Sequence, residues 1–562
     1  MSRGNWAQGE RPTLIIGFST RAIAESAVRG GYNVITLDYF GDRDQKKLVQ
    51  NYSLMRDFHL GFSAEALLIA SRGLDFGALA YISNLENHPD VVEDLTEGHT
   101  LLGNDPATLR RVRDWRTVRQ VCRRESIPIP VTLLPGEEGQ ADRGKRWLTK
   151  PMRSGGGHGI AFWSGESLGE DQLLQEYVDG LSCSAAFVAD GQRCVLLGLT
   201  EQLVGRRELG ALRFTWCGNI LPAPPRISNI QEMLQKLTRA FGLRGVNGVD
   251  FVLGQDEAGR PVPYLVEVNP RYTSSMELVE WAYGLNIFGV HVRSFEGELP
   301  SFSPEENIHH TQWIQNCSEG IAKSPPLAWI WRSRPSKIGF TDTGFYGKGI
   351  VYAREDVAMP ETAEWREQGR RDIPFPGERI AARHPICTVL AQGETRDKCW
   401  RRLLTAAEAV WREVEKSAMP NKFTLITGRT TKQGAALHKG KDSDEYRQAT
   451  GFVEMSSSDR ERLAPLAPQS WGGRGGGQRV RVRTAFGEAE LELHEGDLPE
   501  GMIFVPMGPA ANALIGAETR GTGMPDSKGL EAEVELFGTS PAPLPPKVGG
   551  IEGGGGIEGG LT

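Results

Sequence analysis

The chain has 562 residues, 39% of them apolar and 24% charged, with a net charge of −7. At roughly 150 residues per domain, this length implies three or four domains rather than one core. No basic block is large enough for a nucleic-acid stripe and no apolar run reaches the ~20 residues that span a bilayer, so neither nucleic acid nor membrane is expected as a partner.

The opening residues, MSRGNWAQGERP, lack the apolar stretch of a secretory signal. Thr13–Gly17 (TLIIG) then reads as a strand, followed by a helix and by a second strand at Asn33–Leu37 that ends at Asp38. This βαβ opening predicts a small α/β lobe with parallel strands over residues 1–100. Its first turn, Gly17-Phe18-Ser19-Thr20, lacks the second and third glycines of a dinucleotide fingerprint, so a structural lobe is favoured over a dinucleotide site. A basic helical stretch, Asp105–Asp114, leads towards Ile127-Pro128-Ile129-Pro130 and opens a second region, 101–300. Proline-rich segments lie at 300–305 and 322–326, a mixed segment of helix and short strands fills out a third region, 301–418, and a compositional break falls at Met419-Pro420-Asn421-Lys422. Residues 423–537 read as short strands punctuated by Gly and Pro, a small β-barrel within a domain of 419–540. The glycine-rich stretch 469–477 is expected to be a flexible loop, and the tail 541–562 to be disordered. Seven scattered cysteines, odd in number and never spaced CxxC, fit buried thiols in the reducing cytoplasm.

Three phrases carry chemistry. In the first, a strand delivers Lys150 and is followed by Gly155, Gly156 and Gly157, whose backbone N–H groups could cradle phosphate; a simple hairpin turn is the competing reading. In the second, Leu173–Gly180, an extended apolar run containing Glu176, Tyr177, Val178 and Asp179, could offer backbone groups to an adenine edge or be a buried strand. In the third, Asn247–Leu253 and Pro263–Arg271 form a hairpin. Alternation places Glu267, Asn269 and Arg271 on one face, with Asp250 alongside. Two carboxylates and an amide oxygen make a hard-oxygen set suited to Mg²⁺. A surface hairpin is the competing reading, but Phe251, Leu265, Val266 and Val268 make both strands look buried.

Together the three phrases resemble the ATP-grasp superfamily, over about residues 10–415. The resemblance implies a Rossmann-like pre-ATP-grasp lobe ahead of an ATP-grasp fold. It also implies ATP contacts from Lys150, Gly155–Gly157 and Glu176–Asp179, a magnesium set of Asp250, Glu267 and Asn269, and catalytic roles for Lys150 and Arg271. Two departures stand out. The basic residue that the family carries after the early aspartate is here Trp115, with Arg113 and Arg116 as substitutes, and the ribose acid is replaced by Ser182 or Ser184. Segments 347–354, 372–377 and 383–389 look like the extension of the carboxylase-like branch. Within it, His384 and Cys387 are read as packing residues rather than a catalytic pair.

The C-terminal phrases Leu425–Gly434, Gly487–Gly501, Phe504–Asn512 and Gly521–Asp526 resemble the small D-type subunit of formylmethanofuran dehydrogenase, a double-psi β-barrel of the molybdopterin dinucleotide-binding family. Read physically, Thr427-Gly428-Arg429 is either a phosphate contact or an exposed loop. The resemblance implies that Thr427, Gly428, Arg429 and Asn512 contact molybdopterin guanine dinucleotide together with a larger partner polypeptide.

The expected protein is therefore a multidomain α/β and α+β chain that joins small-molecule carboxylate and amine substrates with ATP, through an acyl phosphate, in the synthesis of a methanofuran- or tetrahydromethanopterin-type carrier. The alternative is a nucleotide-binding accessory subunit of a formyl-transfer complex. A bicarbonate-using carboxylase is a third reading.

Overall fold

The computed structural model describes residues 11–223, 229–304, 344–417, 422–463, 478–515 and 528–539. The proline-rich segment 322–326, the loop 469–477, the phrase Gly521–Asp526, Cys317 and the tail 541–562 lie outside the described residues. The chain divides into two compact units, Met1–Ser417 and Ala418–Thr562.

The first unit opens with a five-stranded parallel sheet in which Thr13–Ile16 is central, Val34–Asp38 and Gln50–Ser53 lie on one side, and Ala78–Tyr81 and Thr100–Leu101 on the other. Its three inner strands are buried throughout, as parallel strands covered on both faces must be. The basic stretch after it forms two helices, Pro106–Arg113 and Trp115–Glu125. Asp114 separates them: its carboxylate accepts the backbone N–H groups of Arg116 and Thr117, capping the second helix as the first ends.

A small four-stranded antiparallel sheet follows, built from Thr132–Leu133, Trp147–Pro151, Ala161–Phe162 and Gln172–Glu176. It has its own core of Leu133, Trp147 and Leu174. The largest sheet has eight strands. Pro261–Asn269 is at its edge, beside Arg244–Gln255, Leu181–Asp190, Cys194–Val204 and Trp216–Leu221, and the extension strands Phe345–Tyr352, Pro385–Gly393 and Arg370–Arg371 complete it. Alternation along Leu181–Asp190 sends Cys183, Ala185, Phe187 and Ala189 to the core under helix Ile230–Phe241, and Ala186 and Val188 to the opposite core.

A buried ion network joins the lobe, the large sheet and the extension. Arg21, 1% exposed, donates to Asp372 at 2.9 Å and to Glu277, which also accepts from Lys348 at 2.6 Å. Burial works against the charge on Glu277, but Arg21 and Lys348 hold its carboxyl far below the usual range.

The second unit is a closed six-stranded barrel, in the order Lys422–Gly428, Met502–Pro506, Phe452–Met455, Gly487–Glu495, Gln478–Thr484, Lys528–Thr539. Two of its pairings are parallel and the rest antiparallel. Besides the short strands read from the sequence, its described residues hold four short helices, Thr431–Leu437, Asp444–Thr450, Ser457–Leu463 and Pro509–Leu514. Two of these helices are capped by side chains: Thr430 accepts from Gln433 N–H and Ser443 from Tyr446 N–H.

Six cysteines are free and buried. Cys387 lies in the strand Pro385–Gly393 with burial pushing its thiol up, whereas His384 is exposed, its Nδ1 3.3 Å from the Ala382 carbonyl oxygen. Among the described residues no helix is long and apolar enough to cross a membrane.

Candidate functional site

The edge hairpin Arg244–Gln255 and Pro261–Asn269 sets Asp250 directly opposite Glu267, and a register shift follows between Asp250 and Phe251. Asn269 Nδ2 donates to Asp250 Oδ2 at 2.9 Å, and Gln202 Nε2 donates to Oδ1 at 2.9 Å. Ser184 also pairs with Asp250 across the sheet and hydrogen-bonds it, so this serine is tied to the carboxylate pair. Burial, and then the Glu267 charge, push the Asp250 carboxyl up to about 6.

Arg271 departs from the expected alternation. The strand ends at Asn269, Pro270 interrupts it, and Arg271 N–H turns back to the Asn269 carbonyl at 2.8 Å. Its side chain still reaches the site, donating to Asn269 Oδ1 at 3.3 Å and to the buried Glu86 at 2.8 Å. Burial opposes the charge on Glu86, but Arg271 and Arg113 outweigh it and hold its carboxyl low.

Lys150 comes from the small sheet. Its Nζ donates to Gln175 Oε1 at 3.1 Å, and Gln175 is fixed by donating its own amide to Thr132 Oγ1 at 3.1 Å. Burial pushes the ammonium down while the Glu267 and Asp250 charges hold it up, so Lys150 is electrostatically joined to the carboxylate pair.

In the glycine turn, Gly156 and Gly157 adopt φ of +65° and +81°. The Gly156 carbonyl accepts Trp216 N–H at 3.0 Å, and a Cβ on Gly157 would lie 1.8 Å from the Phe214 carbonyl oxygen. The glycines thus let the turn seat against residues 214–216, while Gly155 and Gly156 stay exposed.

The four residues expected around adenine divide. Glu176 ends its strand and pairs with Lys145 at 2.8 Å. The Tyr177 N–H is taken by the Arg146 carbonyl at 2.8 Å. Val178 packs over the large sheet, within 2.7 Å of a Cβ placed on Gly254. Asp179 is 78% exposed and pairs with Arg146 at 2.6 Å, which places it at the surface end of the segment.

A divalent cation suits the paired carboxylates. Two acids face each other across the hairpin, one pushed up to about 6 partly by the other's charge, and a cation between them would relieve that repulsion. Asp250 and Glu267 would hold it, with Asn269 turning its amide oxygen inward. Gln202, Gln175 and Glu86, which sequence reasoning does not single out, complete the surroundings, as does Arg113, read from the sequence as a substitute basic residue, which donates to Glu267 at 2.8 Å. Spacing gives no signal for these contacts; only the early helix position points to Arg113.

In the barrel, Thr427 and Gly428 end one strand and Arg429 follows it, while Met507 to Asn512 follow the parallel neighbour, with Met507 N–H bonding the Gly428 carbonyl at 2.8 Å. The two candidate loops are therefore adjacent at one end of the barrel, and Arg429 and Asn512 are exposed there.

This fold and site define an ATP-grasp domain: residues 113–275 match the family model of that description. Residues 423–530 match the model described as molydopterin dinucleotide binding domain. Through its second unit the chain belongs to the family of that domain, alongside protein FwdD of Methanocaldococcus jannaschii, to which it is 40% identical over 110 residues, 19% of this chain and 76% of that protein. An uncharacterized protein of the same organism is 20% identical over 299 residues, covering 50% of this chain and 73% of the relative. The biotin carboxylase domain of the Hydrogenobacter thermophilus 2-oxoglutarate carboxylase superposes with a TM-score of 0.50 at 14% identity, over 72% of this chain and 91% of that one. That likeness is one of fold. Against the longer Rhizobium etli pyruvate carboxylase (16% identity, TM-score 0.49), the match covers 71% of this chain but 37% of that chain's length.

Proposed function

We propose that the first unit is a Mg-ATP-dependent carboxylate–amine ligase acting in the synthesis of a one-carbon carrier of the methanofuran or tetrahydromethanopterin type. The observation that carries the reading is the Asp250–Glu267 pair, with Asn269 bridging to Arg271 and Lys150 joined from the small sheet. Magnesium bound between these carboxylates would neutralise phosphate charge. Lys150, seated by Gln175, meets the transferring phosphoryl group as a fixed positive charge. Arg271, held by Glu86, faces the developing charge on the substrate carboxylate. The carboxylate oxygen attacks the γ-phosphorus and ADP leaves. The amine nitrogen then attacks the acyl carbon, expels phosphate and loses a proton, forming the amide. Positioning and charge supply most of the acceleration, so no side-chain nucleophile is required.

The carrier assignment rests on the company the site keeps. One chain joins an ATP-grasp domain to an FwdD-like unit, and carriers of this kind contain amide-linked glutamyl groups. The test is ADP release from the full chain with Mg-ATP, glutamate and amine-bearing furan or pterin precursors; release that needs both substrates supports the assignment. A second reading is favoured by the 40% identity of the barrel to FwdD. In it the chain is a nucleotide-binding accessory subunit of a formylmethanofuran dehydrogenase or formyltransferase/hydrolase-type complex, with Thr427, Gly428, Arg429 and Asn512 against molybdopterin guanine dinucleotide. Co-purification with such a complex that survives Glu267→Ala would favour it over the ligase.

A further inference from the structure

Arg113 is the last residue of helix Pro106–Arg113, and its side chain is 9% exposed. Nη1 donates to Glu267 Oε1 at 2.8 Å and to the Val268 carbonyl at 3.4 Å, while Nη2 stands 3.6 Å from Glu86 Oε1. Nε and Nη2 are buried and make no hydrogen bond among the described residues. A buried guanidinium with two donors that make no hydrogen bond, one of them only ion-paired to Glu86, is unfavourable unless a ligand takes them up.

The same side chain lines a cavity of about 450 Å³, whose wall also includes Asn87, Trp115, Arg116, Met152 and Arg153. Asn87 provides a second, independent sign of a ligand. It is 2% exposed, and neither its amide oxygen nor its amide nitrogen has a partner among the described residues. Arg116 and Arg153, both exposed, add positive charge to the wall, and neither makes an ion pair among the described residues, although Arg116 also helps hold the Glu137 carboxyl low. Of the two acids on the wall, Asp114 is occupied in capping its helix, and Glu170 is exposed. The cavity is thus an anion site, and one guanidinium connects it to a carboxylate of the metal pair.

We propose that Arg113 couples nucleotide binding to metal binding: without polyphosphate it holds Glu267, and a polyphosphate in the cavity draws it away and frees Glu267 for the cation. The inference rests on the nucleotide site proposed above, but not on which substrates are joined. A cation arriving alone must displace a charge-assisted hydrogen bond, and a polyphosphate arriving alone must break it. When the two bind together, each removes the other's obstacle, so their affinities are reciprocally linked. The coupling assigns a positioning role to a residue one place before Asp114, where the family's basic residue lies one place after.

The test is a pair of binding measurements on the full chain: Mn²⁺ alone, read by the loss of free-ion paramagnetic resonance, and ADP, read by calorimetry with and without Mn²⁺. Arg113→Ala is expected to tighten Mn²⁺ binding without nucleotide by about tenfold and to weaken ADP binding by about tenfold, each equivalent to ~1.4 kcal/mol. Arg113→Lys keeps the charge but loses the fork, and is expected to shift both affinities in the same directions by less. If Arg113→Ala fails to fold, the lysine variant decides. Mn²⁺ affinity that is unchanged or lowered, or ADP affinity that is unchanged, overturns the proposal. Failure of the ligase reading would show separately, as absence of ADP release from ATP by the unaltered chain.

Discussion

Asp250 and Glu267 lie opposite each other on two hydrogen-bonded strands, with Asn269 donating to Asp250 at 2.9 Å, and Asp250 is pushed up to about 6 by burial and by the Glu267 charge. Two carboxylates held this close without a cation work against folding, and a cation between them favours it.

The sign of that shift sets the pH dependence of metal binding. The folded pKa of Asp250 is raised above the ordinary value of 3.8, so the folded state binds this proton more tightly than the unfolded state. Its contribution to stability is fully present below pH ~4 and is lost as pH rises through about 6. Mg²⁺ should therefore raise the melting temperature more at pH 7 than at pH 5, because it replaces the lost proton. Asp250→Asn should abolish both the metal effect and its pH dependence. A metal-induced shift in melting temperature that is the same at both pH values would count against the site.

Gly157 tests the glycine turn. Alanine there must adopt φ of +81° and place its Cβ 1.8 Å from the Phe214 carbonyl oxygen, so the turn has to leave its seat. Left-handed backbone alone costs roughly 1–2 kcal/mol. Gly157→Ala should lower kcat/KM for ATP by about tenfold or more, and lower the melting temperature only modestly, because the displaced turn strains its own seat rather than the core. Unchanged kcat/KM would show that the turn does not take part in nucleotide binding.

How much of this is legible in the sequence depends on range. Asp250, Glu267 and Asn269 are legible because a hairpin converts spacing into proximity through a period of two. Alternation assigns Arg271 to the right neighbourhood by the wrong route, since Pro270 ends the strand and a turn returns the side chain. The pairing of Arg113 with Glu267 spans 154 residues, and no local pattern encodes it. Asp179 reads as part of the adenine segment, but Arg146 at the neighbouring strand's start holds it at the surface. In the barrel, the short helices capped by Thr430 and Ser443 leave little signal in the sequence, because capping residues and turn residues share a chemistry.

His291 should dominate a different part of the pH profile. It is 5% exposed, its Nδ1 accepts Val246 N–H at 3.0 Å, and Nε2 lies 3.1 Å from the Leu102 carbonyl. Burial pushes its pKa down to about 4 from 6.5. A lowered folded pKa means that the contribution is present above pH 6.5 and is lost as pH falls towards 4, by up to ~3 kcal/mol. Denaturant titrations from pH 7 to pH 4 should show this loss, and His291→Gln should flatten it while lowering stability at pH 7. A variant that keeps the full acid dependence would assign the loss to other groups.

Arg429 separates the two units functionally. It is exposed on the barrel loop beside the strand ending at Gly428, whereas every residue assigned to ATP turnover precedes position 300. Arg429→Ala should leave ADP release unchanged and reduce retention of a formylmethanofuran dehydrogenase-type large subunit, or of molybdopterin guanine dinucleotide, in pull-downs. Equal retention by the variant would make Arg429 an ordinary surface residue.

The central claim is that the Asp250–Glu267 site turns over ATP to join a carboxylate to an amine. The direct measurement is ADP release from the full chain with Mg-ATP across a panel pairing glutamate and related carboxylates with furan- and pterin-bearing amines, run alongside Glu267→Ala. The expected result is release that requires both substrates, yields one amide per ADP, and falls at least about a hundredfold in the variant, the loss expected when a transition-state charge loses its stabilising partner. ATP that binds without turnover under every pairing, or turnover that survives Glu267→Ala, would contradict it.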